Sequence, residues 1–308
     1  MAVNGRVLRV LRVSRIVADL ARAKAFYCAA LGFRTVEEAA HTRPAWAQLP
    51  GVAGTPIQTT CLRIGQQEME LTAFEPDGAP YPPGSNAADL WFQHLAIVTS
   101  DITMAYQRLQ HHGATPITRG GPQRLPPAAG GATAFKFRDP DGHPLELIQF
   151  PTGSGKAIWH QEYPNAVTIG IDHTAVSVAD TGRSTAFYCG LLGLVEISRQ
   201  VNNGPEQQRL DDLQDVAVDV VGLQPAAATP HLELLGYRAP RGRALAAAGL
   251  RDIAADRLVL QVQNLSALSQ ALTGAGASIL AASPVVSVHA SHAAVVRDPD
   301  GHLLVLVE

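Results

Sequence analysis

Cysteine is scarce in this chain: Cys28, Cys61 and Cys189 are the only three in 308 residues. An odd number at wide spacing argues against a disulfide framework and fits reduced thiols in a cytoplasm. Two of the three recur in the same tetrapeptide, AFYC, which points to helix packing rather than reactivity. Charge of one sign is lacking as well. The formal net charge is −3 and no Lys/Arg cluster stands out, so nucleic acid is not the expected partner. No apolar run reaches the ~18 residues of a membrane-crossing helix. The N-terminal stretch MAVNGRVLRVLRV interleaves Arg with aliphatics and has no secretory h-region. The expectation is a cytoplasmic protein, monomer or homodimer, that meets a small-molecule substrate and neither membrane nor nucleic acid. Hydrophobic residues at 46% and charged residues at 17% supply a sizeable packed core.

What is present is repetition. FRDPDGHPLELIQF (137–150) returns as VRDPDGHLLVLVE (296–308), with the turn DPDGH kept letter for letter. ARAKAFYCAALGFRTVE (21–37) returns as GRSTAFYCGLLGLVEIS (182–198), and DITMAYQRLQHHGATPI (101–117) more faintly as NLSALSQALTGAGASIL (264–280). Residues 1–150 and 168–308 therefore read as homologous halves. The stretch 151–167 between them has the Gly, Ser and Pro content of a linker.

Each half divides again. A strand-like run precedes Asp19, Asp101, Asp180 and Asn264, and a helical stretch follows each, as N-capping residues predict. Segments such as EMELTAF, HLELLGY and LELIQF then alternate or run apolar, as strands do. The reading is α+β: four βαβββ modules at 6–76, 90–150, 168–237 and 255–308.

Four such modules carrying AFYxxxLG and DPDGHxxEL resemble the vicinal oxygen chelate superfamily. That group includes glyoxalase I, extradiol dioxygenases, fosfomycin-resistance and bleomycin-resistance proteins. The resemblance implies that two modules share a cup-shaped sheet with a divalent metal inside. It also implies where ligands sit. One position lies on the first strand of each module, seven residues before the helix-capping Asp or Asn. Those positions hold Arg12, His94, His173 and Arg257. The other lies on the last strand, where the sequence has Glu70, Glu146, Glu233 and Val305.

Two pairings of modules are conceivable. If chain neighbours pair, each cup receives one His and one Arg. If the two middle modules pair, their cup holds His94, Glu146, His173 and Glu233. The outer modules then share a cup with Arg12, Glu70, Arg257 and Val305. Only the second pairing completes a metal site, and it explains why one repeat keeps Glu146 while the other has Val305. In the outer cup Arg12, with or without Arg257, is expected to pair with Glu70.

Period-two alternation puts His94 on a face with Ala96, and His173 with Ala175 and Ser177, leaving room beside each imidazole. A bland reading competes for every candidate. A lone His is more often a satisfied core or surface residue, and a Glu in an LEL strand is common. His143 and His302 recur in both halves, as do Asp139, Asp141, Asp298 and Asp300. They read as turn chemistry. His111 and His112 read as surface, His289 and His292 as non-ligands. Trp159 and His160, in the linker, are weak candidates for a cup mouth.

Two imidazoles and a carboxylate suit one divalent ion among Fe, Ni, Zn, Mn and Co, with open positions for substrate. With Glu233 as a fourth ligand the set looks like bacterial glyoxalase I. That favours lyase or isomerase chemistry, with Glu233 or Glu146 handling the proton. Without Glu233, an Fe(II)-dependent dioxygenase is the alternative, although the strand TAFKFRD lacks the His or Tyr acid–base partners of extradiol cleavage. A metal-free drug-binding cup ranks third. The loops 76–90 and 118–132 are lids or merely long loops, and they name no substrate.

Overall fold

All four residues read as helix caps act as caps. Asp19, Asp101, Asp180 and Asn264 each accept from backbone N–H groups of the first turn that follows. The structure is a computed structural model, described for residues 5–36, 52–164, 166–244, 248–283 and 292–308. The first module contains β1 (Arg6–Ile16), α1 (Leu20–Leu31), β2 (Arg34–Thr35), β3 (Ile57–Ile64) and β4 (Gln67–Phe74). The second contains β5 (Gln93–Thr99), α2 (Ile102–His111), β6 (Thr115–Pro116), β7 (Gln123–Arg124), β8 (Thr133–Arg138) and β9 (Pro144–Gln149). In the third, β10 (Thr168–Ser177) leads into α3 (Thr181–Thr185), which continues as a π-helical stretch through Leu191. Then follow β11 (Val195–Asn203), α4 (Gly204–Asp211), β12 (Ala217–Gln224) and β13 (His231–Ala239). The fourth has β14 (Arg257–Gln263), α5 (Leu265–Gly274), β15 (Ser278–Ser283), β16 (Ala293–Arg297) and β17 (Leu303–Val307).

Two mixed sheets result. One runs β15-β16-β17-β14-β1-β4-β3-β2, and the other β11-β12-β13-β10-β5-β9-β8-β6, with β7 against β8. The seams are antiparallel pairs, β1 with β14 and β5 with β10. Each sheet thus takes one module from either half of the chain: first with fourth, second with third. This is the crossed pairing that the donor count predicts.

Alternation along the strands sorts the side chains. Leu95, Ile97, Phe135, Phe137, Leu145 and Leu147 turn toward the helices and join one large apolar core. The residues between them, His94, Ala96, Lys136 and Glu146, turn to the opposite face. The DPDGH turns tie the modules together. Tyr27 of α1 donates to Asp139 at 2.7 Å, and Tyr188 donates to Asp298 at 3.0 Å. Arg22 pairs with Asp141 and Arg183 with Asp300. Both turns need φ near +100° at their glycines, 95° at Gly142 and 100° at Gly301, where a side chain would strain the backbone. The conserved lettering of AFYC and DPDGH is therefore one contact, made twice.

Among the described residues no helix is long and apolar enough to cross a membrane. The segment 151–164 is not a loose tether. Residues Ala157–His160 form a 3-10 turn with Trp159 buried. His111 and His112 are surface positions, both exposed. His292 is exposed too, and His289 lies outside the described residues.

Candidate metal centre

The seam between β5 and β10 sets the geometry. His94 stands opposite Ala175, which is opposite Glu233 on β13. One step along, His173 stands opposite Ala96, which is opposite Glu146 on β9. Two diagonal His/Glu rows cross one face of the sheet, with an alanine in each. The same face carries a cavity of about 250 Å³. His94, Glu146, His173 and Glu233 all line it.

The ligand atoms of His94, Glu146 and His173 all lie within 4.8 Å of one another, and all three residues are buried. The imidazoles of His94 and His173 are 5.6 Å apart, centroid to centroid. His94 Nε2 is 3.3 Å from Glu146 Oε2, yet neither ring nitrogen of His94 completes a hydrogen bond among the described residues. Burial lowers the pKa of His94, which keeps its lone pairs free. An imidazole buried with no hydrogen bond is costly unless something else meets it. Glu233 is not one of the three clustered residues. Its carboxylate is 3.5 Å from His173 Nε2 and 3.5 Å from His231 Nε2.

The electrostatics point the same way. Burial opposes a charge on His173, but Glu233, Asp172 and Glu146 outweigh it and lift the pKa to about 9. Burial would raise Glu233, but His173 and His231 bring it down to about 2. Glu146 is likewise lowered against burial, by His94, Lys136 and His173. Without a metal, then, the site draws a proton onto His173. Four carboxylates, Glu146, Asp172, Asp211 and Glu233, face two ammonium groups, Lys136 and Lys156. With neutral imidazoles two negative charges stay unbalanced, the charge of one divalent cation. Donor chemistry, orphaned imidazole and charge balance all fit such an ion.

Around these residues lies a set that the sequence reading missed. Asp172 accepts from His173 Nδ1 at 3.1 Å and so fixes that ring with Nε2 turned into the cup. Trp159 donates to Asp172 at 2.7 Å, and Lys156 Nζ is 3.5 Å from the same carboxylate. Trp159, a weak candidate by sequence, supports the site through Asp172. His231 also lines the cavity, with Lys156 Nζ 3.0 Å from its Nδ1. The signal for His231 was available, because it sits two residues before Glu233 on one strand and must share its face. Asp172 gave none, since adjacent strand residues normally point apart. Lys136 was visible as a lone charge in the apolar run TAFKF.

The other sheet places Arg12, Glu70, Arg257 and Val305 at the matching positions. Arg12 Nε is 3.5 Å from Glu70 Oε2, and Ser14 donates to Glu70 Oε1 at 2.6 Å. Val305 packs with Ile16, Val259, Val295 and Leu303 in an apolar cluster. Arg257 is fully buried, and its guanidinium donates to the carbonyl of Leu250. His143 and His302 serve their turns. His143 Nδ1 meets Asp139 at 2.9 Å and Nε2 meets the Ile253 carbonyl at 3.0 Å; His302 Nε2 meets the Ser177 carbonyl at 2.9 Å.

Comparison with known proteins adds four findings. The Glyoxalase/Bleomycin resistance protein/Dioxygenase superfamily matches residues 9–147 and again 170–306. Over 144 residues, 46% of this chain and 95% of the relative, the sequence is 31% identical to the uncharacterised protein YaeR of Escherichia coli. The solved structure of glyoxalase I from Zea mays superposes with a TM-score of 0.64 at 19% identity, covering 99% of this chain and 92% of that one. A proposed dioxygenase from Bacillus subtilis superposes with a TM-score of 0.61 at 13% identity, covering 98% and 85%. These likenesses to solved structures speak to the fold alone.

Proposed function

The chain belongs to the glyoxalase/bleomycin resistance protein/dioxygenase superfamily, and from that premise we propose a divalent-metal-dependent enzyme with glyoxalase-like lyase or isomerase chemistry. Its substrate is a small molecule gripped through two adjacent oxygens in the cup of the middle modules. His94, Glu146 and His173 would hold the ion, with Glu233 beside them as fourth ligand or as base. The observation that carries this reading is the buried three-residue cluster within 4.8 Å, in which neither ring nitrogen of His94 has a hydrogen bond among the described residues. When bound, the ion supplies Lewis acidity toward the paired substrate oxygens.

The chain's own groups do the rest. Asp172 holds the His173 ring, and burial keeps His94 neutral. Glu233, ionised and flanked by His173 and His231, can take a proton from a carbon next to a carbonyl and return it to the neighbouring carbon. Leu125, Ala132, Ile148 and Leu235 line the cavity and limit water around the reacting atoms. The outer cup takes no part in this reading, since its ligand positions carry two guanidiniums, one glutamate and a valine.

One observation favours a second reading. The clustered donors are two His and one Glu without Glu233, a set that also suits a non-haem Fe(II) dioxygenase. The first test is metal content of the reconstituted wild type against His94→Ala and His173→Ala. Stoichiometric metal in the wild type and none in either variant supports the shared site. A variant that keeps its metal removes that residue from the site, and a wild type that binds none overturns the proposal. The two chemistries then separate by O2 consumption with Fe(II) against nickel- or zinc-supported turnover of a methylglyoxal–thiol adduct.

A further inference from the structure

Lys136 has no counterpart in the other three modules. On each penultimate strand one residue stands directly opposite the last-strand ligand position. Opposite Glu146 it is Lys136; opposite Glu70, Glu233 and Val305 it is Cys61, Gly222 and Val295. The fold therefore does not call for an ammonium there. Phe135 and Phe137 on either side point into the helix-facing core, so Lys136 points into the cup, where it lines the cavity at 3% exposure.

The ammonium is held but not used up. Its Nζ donates to Asp211 Oδ1 at 2.6 Å and stands 3.9 Å from Glu146 Oε2, beyond hydrogen-bond reach. An ammonium has three N–H donors, and among the described residues Asp211 takes one. Asp211, at the end of α4, is itself held in place, since Gln207 Nε2 donates to Oδ2 at 2.7 Å and Tyr237 donates at 2.9 Å. That contact also fixes the Gln207 amide, because only its nitrogen can face a carboxylate. The other end, Gln207 Oε1, is buried without a hydrogen-bond partner among the described residues and belongs to a residue 4% exposed that lines the same cavity. One wall of the cup thus presents spare donors and a spare acceptor, built on a carboxylate held by three hydrogen bonds.

We propose that Lys136 is an anion handle: it receives an ionised oxygen of the substrate, and the preferred substrates are small α-hydroxy or α-oxo carboxylates. The proposal deepens the function proposed above and rests on it. The carboxylate adjoins the oxygen that chelates, so it lies on the Glu146 side of the cup. The opposite side, at Glu233, then receives the carbon whose proton moves. A charge-assisted bond in a dry site is among the stronger polar contacts available, and Gln207 Oε1 accepts from a hydroxyl or amide of the same molecule.

The test compares two probes with the same adjacent oxygens, glycolate and the neutral hydroxyacetone, by calorimetry on nickel-loaded protein. The variants are Lys136→Arg and the double variant Lys136→Met with Asp211→Asn. The double variant removes both buried charges, leaves the net charge of the cup unchanged and strands no lone carboxylate. Wild type is expected to prefer glycolate. In the double variant that preference falls by about tenfold or more, while nickel content and hydroxyacetone affinity stay within about twofold, and Lys136→Arg retains the preference. An unchanged ratio of affinities overturns the proposal. So does an equal loss for both probes, which would make Lys136 a mere prop for Glu146. If the wild type binds no nickel, the metal reading fails by itself. The handle is then tested on the metal-free protein by the rise in Tm with glycolate, expected in wild type and absent from the double variant. No rise in wild type overturns it.

Discussion

The two cups are built on one backbone plan and carry opposite contents. In the inner cup, imidazoles at 94 and 173 face alanines across the seam, Ala175 and Ala96. In the outer cup, guanidiniums at 12 and 257 face Val259 and Ser14. Where the inner cup leaves a cavity of about 250 Å³, the outer is filled by Val259, Val295, Val305 and their neighbours. The difference teaches that donors and room go together. A carboxylate alone does not make a site, because Glu70 stands at a ligand position and is bound instead to Arg12 and Ser14. The inner cup sets its buried polar groups around a cavity. The outer cup meets the same positions with packing and an ion pair.

Four experiments press on that contrast, from the largest effect to the smallest. His94→Ala and His173→Ala should each lower metal affinity by about 100-fold or more, whereas Arg12→Ala should leave metal stoichiometry at the wild-type value; elemental analysis after gel filtration reads both. Next, one substitution made in both cups should act in opposite currencies. Glu70→Gln removes the buried carboxylate that pairs with Arg12 and faces the fully buried Arg257, and unfolding in urea should report a loss of about 2–4 kcal/mol. Glu146→Gln should cost less stability than that and instead weaken metal binding by about tenfold or more. Equal stability losses with equal metal content would erase the distinction between the cups.

Exchanging the space-setting residues has a smaller effect. Val259→Ala should hollow the outer cup and cost about 2 kcal/mol by thermal or chemical unfolding. Ala96→Val should crowd His173 and Glu146 and lower metal affinity while changing stability little. If Ala96→Val binds metal as wild type does, room is not what separates the cups.

The smallest effect concerns the DPDGH turn of the second module. Both ring nitrogens of His143 face acceptors, Asp139 and the Ile253 carbonyl, so both carry protons. Burial opposes that charge, but Asp139 and Asp256 outweigh it and raise the pKa. A raised histidine contributes stability that is fully present below its unfolded value of about 6.5 and is lost as pH rises through the folded one. Asp139 is the mirror case. Burial would raise it, but His143, Arg15 and Tyr27 hold it below the usual carboxylate range. Its contribution is present above the unfolded value of about 3.9 and is lost as pH falls through the lowered one. Urea midpoints should therefore decline above about pH 6.5 in wild type, and His143→Gln should flatten that decline. A slope unchanged by the substitution would mean that His143 is neutral in the fold.

Much of the fold was legible because its signals are local. Caps sit one residue before their helices, strands alternate with period two, and the repeated AFYC and DPDGH lettering marks equivalent places. The crossed pairing was legible in a different way, through the count of donors on ligand positions, because no periodicity says which strand edge meets which. His231 could have been found from its two-residue spacing to Glu233. Asp172 could not, because it reaches His173 from the neighbouring strand position. Trp159, in a stretch with a linker's composition, reaches Asp172 only once the chain folds back. Lys136 was visible, but its partner Asp211, and the Gln207 and Tyr237 that hold Asp211, are 71 to 101 positions away in sequence.

The amino-acid order by itself determined the four modules, their capped helices, the face each histidine takes and the chemical kind of donor at each ligand position. These are short-range matters of backbone dihedral preference and side-chain alternation. Only the tertiary structure decided that His94 and His173 look at each other across a seam, that the inner cup keeps a cavity while valine fills the outer one, and that Asp211 holds an ammonium over Glu146. Those outcomes depend on which strand edges close against each other, and edge pairing is settled by the packing of the whole sheet rather than by any stretch of chain.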